Sequence, residues 1–116
     1  MLANPEARQF LDDAFTALAD PYRRHLLFSL LEAAESSDST VAYDSIPEFA
    51  ADSASVQLHH NHLPKLHENG FVDWRTAEKI IAQGPRWPAI EPLLSVLYAH
   101  ATDVLRSVGA YDDRLR

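Results

Sequence analysis

Apolar residues return along this chain at helical spacing in several stretches, each bounded by polar or proline-containing breaks. Leu11, Phe15 and Leu18 form a stripe flanked by Phe10 and Ala14, with Arg8, Asp12 and Asp13 off it. That pattern predicts an amphipathic first helix over 5–19. Asp20-Pro21 follows, with Asp as N-cap and Pro at the first helical position, where its missing N–H costs nothing. The second helix is expected from about Tyr22 to Ala34, burying Leu26, Leu27, Leu30 and Leu31. Ser36 to Thr40 reads as a polar loop and Val41 to Tyr43 as a small edge strand. Ser45 and Glu48 have capping-box spacing and predict a short third helix, with Pro47 tolerated in its first turn.

The stretch from Ser53 to Trp74 says most. A period of 3.6 puts Val56, His59, Leu63, Leu66 and Gly70 on one side and Gln57, Asn61 and Lys65 on the other. Pro64 falls on the outer side and predicts a bend or break near Leu63. Gly70 is placed to end the helix in a left-handed conformation. Phe71 to Trp74 and Ile80 to Ala82 are β-prone runs joined by the polar segment 75–79, a hairpin without the usual Gly or Asn in its turn. After Gly84-Pro-Arg-Trp-Pro88, a last helix is expected over 88–108, carrying Ile90, Leu93, Leu94, Leu97, Ala101, Val104 and Leu105.

The predicted fold is mainly α with a small β-hairpin wing: a winged helix-turn-helix with terminal dimerisation helices, occupying 1–116 as one domain. Within it, 5–19 is the N-terminal helix, 20–82 the helix-turn-helix core and wing, and 88–108 the C-terminal helix. A chain of 116 residues supports a single modest core. An apolar content of 47% argues against disorder. The absence of cysteine excludes disulfides, thiolate metal sites and cysteine nucleophiles. The N-terminus lacks the pattern of a secretory signal, and the apolar run from Ala89 to Val108 is interrupted by Glu91, His100, Asp103 and Arg106. A soluble, cytoplasmic protein without membrane partners is the expectation.

The formal charge of −7 is unusual for a nucleic-acid binder. The ten basic residues comprise two lysines and eight arginines, and ten of the seventeen acids are aspartate. An aspartate-heavy, lysine-poor surface suits molar salt, where the Debye length shrinks to about 3 Å, and so points to a halophilic source. Over 55–79, Lys65, Arg75 and Lys79 are cancelled by Glu68, Asp73 and Glu78.

Two segments, Ala17-Leu-Ala-Asp-Pro-Tyr-Arg-Arg-His-Leu-Leu27 and Leu63-Pro-Lys-Leu-His-Glu-Asn-Gly-Phe-Val72, resemble the ArsR-type winged helix-turn-helix regulators, in particular compact haloarchaeal ones. The resemblance covers about 10–82. It implies a dimer built through the terminal helices and DNA contacts from helix and wing. The family's metal-sensing cysteines are absent here, and Pro64 and the histidine run depart from the commoner recognition-helix pattern.

The expected function is sequence-specific binding of double-stranded DNA by a homodimeric transcription regulator reading the major groove. Gln57 and Asn61 can each bond an adenine edge bidentately; otherwise they are solvated polar positions on an exposed helix. Lys65, Arg75 and Lys79 are phosphate candidates, as is Arg86, and His62 or His60 is a further DNA contact. One of Arg23 and Arg24 is expected on phosphate and the other on an internal carboxylate. His59, His60, His62 and His67 invite a metal reading, but no carboxylate completes a tetrahedral set; hydrogen-bonded, partly buried histidines are the alternative. His100 and Asp103 match half of the terminal-helix zinc site of some ArsR-type sensors, and are better read as a solvated charge pair. No cofactor, no metal and no enzymatic activity are expected. A twofold dimer would set two recognition helices about 34–36 Å apart on the duplex. The alternative is a winged-helix protein-interaction module that does not bind DNA, which the acidic surface favours.

Overall fold

The computed structural model describes residues 4–36 and 39–100. Helices α1 (Pro5–Leu18) and α2 (Pro21–Ala34) are followed by strand β1 (Thr40–Ala42) and two 3-10 turns, Tyr43–Ser45 and Pro47–Phe49. Helix α3 (Asp52–Gln57), a π-helical turn (Leu58–His62) and helix α4 (Leu63–Glu68) then run on without interruption. Strands β2 (Val72–Arg75) and β3 (Ile80–Gln83) and helix α5 (Trp87–Ala99) complete the described chain. The molecule is mainly helical with a small antiparallel sheet, an arrangement compatible with a winged helix. The part of the last helix expected beyond His100 lies outside the described residues.

Local chemistry sets the first helices. Asn4 caps α1 by accepting from the Glu6 N–H at 2.8 Å. Asp20 caps α2 through the N–H groups of Tyr22 at 2.8 Å and Arg23 at 3.3 Å, with Pro21 at the first helical position as expected. Helix α2 is the central element, packed against α1, α5 and β1, and buries Leu26, Leu27, Leu30 and Leu31. The α1 stripe is rotated from the expected one. Ala14 and Ala17 are fully buried, whereas Phe15 is 59% exposed. Phe10 stands edge-on to Phe71, with centroids 6.3 Å apart.

The expected third helix is replaced by the two 3-10 turns. Ile46 sits between them in extended backbone, the conformation favoured ahead of a proline, so Pro47 separates the turns. The capping box does not form: Ser45 Oγ donates to the Ala42 carbonyl at 2.7 Å, and no side chain caps the second turn.

The sheet has three strands in the order β1-β3-β2, all neighbours antiparallel. Val41 and Trp74 lie opposite Ile81 from its two sides. The β2–β3 turn closes without glycine because Lys79 itself takes positive φ, at 58°.

The junction between α4 and β2 follows from Gly70, whose φ is 78°. Gly70 N–H donates to His67 O at 3.0 Å and Phe71 N–H to Leu66 O at 3.2 Å, the two bonds of a Schellman motif. The chain returns to this junction after β3. Gly84 N–H donates to Phe71 O at 3.1 Å and Arg86 N–H to Gly70 O at 2.7 Å. Among the described residues no helix is long and apolar enough to cross a membrane.

Candidate functional site

The composite helix over 52–68 is where sequence expectation and structure differ most usefully. Its buried side is Ala54, Leu58, His62, Leu63 and Leu66: Leu63 and Leu66 of the expected inner row are inside, whereas Val56 and His59 are exposed. Residues 54, 58, 62 and 66 recur every four positions, a longer interval than 3.6. The π turn absorbs the difference: Leu63 N–H reaches back five residues to Leu58 O. This widened turn directly precedes Pro64, whose missing N–H removes the α-helical partner of the His60 carbonyl. Leu63 keeps helical dihedrals (φ −65°, ψ −46°), so the chain there is widened rather than broken.

The outer face is consequently Ser53, Val56, Gln57, His60 and Asn61, all exposed. Gln57 and Asn61 lie four apart in one row, as expected, and Val56 and His60 form the row beside it. The side chains of Gln57, His60 and Asn61 have no partner within the described chain, so their donors and acceptors are open to a ligand. Lys65, half-buried, continues toward the C-terminal end.

His62 has to be removed from the candidate contacts. It is 3% exposed and lies on the core side of the helix. Its Nδ1 is 3.2 Å from Arg23 Nη1, and its ring centroid is 5.7 Å from that of Tyr22. A guanidinium only donates, so Nδ1 accepts and the ring proton resides on Nε2. That nitrogen faces Asp20 Oδ1 at 3.7 Å, too long for a hydrogen bond. Burial is the main cause of a lowered His62 pKa; Asp20 opposes the shift and Arg23 adds to it.

The other histidines divide by environment. His59 is bonded through Nδ1 to Ser55 O at 2.9 Å, and its ring lies 5.7 Å from Tyr43 and 6.5 Å from Trp74. It thus packs onto the sheet side rather than into the core. His67 Nδ1 accepts from the Trp74 backbone N–H at 3.2 Å, using an edge donor of β2 to tie the helix to the hairpin. Trp74 Nε1–H donates in turn to Tyr43 Oη at 3.1 Å. Among the described residues no group of three or more His, Asp or Glu is arranged to hold a metal.

The arginines are mostly committed. Arg23 is buried and donates to the carbonyls of Ala17 at 3.2 Å and Thr16 at 2.9 Å, besides His62. Arg24 donates to Leu18 O at 2.7 Å. Both therefore satisfy carbonyls of the last turn of α1, and neither pairs with the expected internal carboxylate; Arg23 is buried away from any phosphate, whereas Arg24 is exposed. Arg86 is held by Asp13 Oδ2 at 3.0 Å and Asn69 O at 2.9 Å, with its guanidinium carbon 5.1 Å from the Phe71 centroid. That removes it from the phosphate candidates. Arg75 and Lys79 flank the β2–β3 turn, both exposed, but Arg75 is paired with Asp73 Oδ2 at 3.1 Å. Lys65 and Lys79 make no ion pair within the described residues.

Val56 and Ser53 are additions to the face that the 3.6-period wheel missed. Anchoring the wheel on Ala54, Leu58 and Leu66 would have exposed them.

Residues 15–82, which include this helix and the sheet up to Ala82, match the family described as Domain of unknown function (DUF7344). The chain belongs to the DUF7344 family. The matched DUF7344 segment holds every residue of the outer face as well as Arg23 and His62. Arg86 and α5 fall beyond it. No curated protein and no solved structure matches the chain significantly.

Proposed function

We propose that the protein is a sequence-specific DNA-binding transcription regulator of winged helix-turn-helix architecture, ArsR-like, acting in the cytoplasm as a homodimer. The observation that carries this reading is the composite helix. Its inner row is locked into the core, while Gln57, His60 and Asn61 stand exposed and without partners on the outer row. The element order, with a hairpin directly after that helix and a first strand pairing with β3, suits the same reading. Gln57 and Asn61 would read base edges, and Lys65, Lys79 and Arg75 would meet phosphates. Arg75 must then exchange or share Asp73. The dimer seam would be apolar surface on the terminal helices, where Phe15, Val96 and Leu97 are 59%, 57% and 42% exposed.

The net charge of −7 makes salt decisive. Molar salt screens repulsion from DNA but also removes most of the counterion-release gain, so affinity rests on direct contacts and shape. The test is fluorescence-anisotropy binding to DNA from upstream of the protein's own gene, in molar KCl, with wild type beside Asn61→Ala. Saturable, sequence-dependent binding lost in the variant supports the proposal. The same acidic charge favours a second reading, a winged-helix module that binds a protein partner. Under that reading no DNA binding is found at any salt concentration, and Asn61→Ala changes nothing.

A further inference from the structure

We propose that Val56 is a specificity residue that packs on the C5-methyl group of a thymine, so that the recognised half-site contains an A·T pair beside the bases met by Gln57 and Asn61. This rests on the DNA-binding reading above.

Val56 is 53% exposed on a helix whose other aliphatic side chains are buried, and among the described residues the remaining large exposed apolar groups belong to α1, α2 and α5. It is not the edge of the core: with Ala54, Leu58 and His62 inside, Val56 stands on the outer side between Ser53 and His60. The outer face thus offers one rigid, β-branched apolar group among polar side chains that lack internal partners. It lies in the N-terminal part of the helix, the part of a recognition helix that meets base edges. In the major groove the apolar feature of the bases is the thymine methyl. Asn and Gln side chains pair with adenine N6 and N7, so adenine readers next to a methyl-binding valine select A·T pairs together.

The experiment replaces each thymine of the bound duplex by deoxyuridine in turn, which removes the methyl and keeps the O4 acceptor and the base pairing. Wild-type protein should lose about four-fold in affinity at one position per half-site, the worth of one buried methyl. Val56→Ala should show a similar loss on the thymine duplex and no discrimination between thymine and uracil at that position. Far-UV circular dichroism should match wild type, since the side chain is outside the core. Sequence-specific binding by wild type with no thymine–uracil discrimination at any position overturns the proposal while the DNA-binding reading stands. Discrimination that survives in Val56→Ala overturns it equally. Absence of sequence-dependent binding by wild type overturns both.

Discussion

Arg23 donates to His62 Nδ1 across 3.2 Å inside the protein, joining the start of α2 to the middle of the composite helix. The bond exists only while His62 is neutral, because a protonated ring would turn an N–H toward the guanidinium. One buried contact therefore couples the position of the candidate reading helix to a titratable group.

The first prediction follows from its sign. The folded-state pKa of His62 lies below the ordinary imidazole value of about 6.5. The unfolded chain then binds more protons in the window beneath 6.5, so stability is full above that pH and falls as pH drops toward the folded value. Thermal melts between pH 7.5 and 5 should show that decline. In His62→Asn, which keeps an acceptor for Arg23 and does not titrate, this contribution to the decline should vanish. An equally steep decline in the variant would contradict the assignment.

Neighbouring arginines should differ sharply. Arg23→Ala removes a buried side chain and its bonds to Thr16 O, Ala17 O and His62, and should cost about 3 kcal/mol or more in urea denaturation. Arg24→Ala removes one exposed bond to Leu18 O and should cost less than about 1 kcal/mol. Similar costs would mean that Arg23 does not hold the α1–α2 corner.

Two glycines at one junction make another contrasting pair. A Cβ on Gly84 would lie 2.4 Å from Gly70 O and 2.8 Å from Val72 N, both backbone atoms. Gly84→Ala should therefore displace β3 from the helix end and cost more than about 2 kcal/mol. At Gly70 the added Cβ meets Arg86 side-chain carbons at 3.3 Å, which can move, and the main cost is the positive φ of 78°. Gly70→Ala should cost about 1–2 kcal/mol, less than its partner, by the same denaturation measurement.

Asn61→Ala, an exposed truncation, should leave thermal stability within about 0.5 kcal/mol of wild type. On a specific DNA site it should weaken binding by about 5- to 150-fold, the worth of one bidentate base contact. A loss of stability matching the loss of binding would mean that the residue acts through the fold instead.

Features written in local chemistry were legible in the sequence. Asp20-Pro21 starts α2, Gly70 ends α4, and the leucines of α2 fill the core because each rests on a rule spanning a few residues. What needed distant partners was not legible. Arg23, Arg24 and Arg86 look like surface cations until the α1 carbonyls and Asp13 are placed beside them. The pairing of β1 with β3 joins segments some forty residues apart. The phase of the composite helix failed for a different reason. A uniform 3.6-residue period cannot represent a π turn ahead of Pro64, so Val56 and His62 exchanged sides. Gln57 and Asn61 kept theirs and remain exposed, four apart in one row. The left-handed Lys79 carries no residue-type signal, since it occupies a position usually given to Gly or Asn.

The most direct measurement is an NMR titration of the 15N-labelled protein in molar KCl with duplex DNA carrying its own upstream sequence, against a scrambled duplex. Saturable shifts on the specific duplex should concentrate at Val56, Gln57, His60, Asn61 and the hairpin turn around Lys79, with little change at Arg86 and the middle of α5. Shifts centred on α5 or α1, identical shifts with the scrambled duplex, or none at all would contradict the placement of a DNA-reading face on this helix.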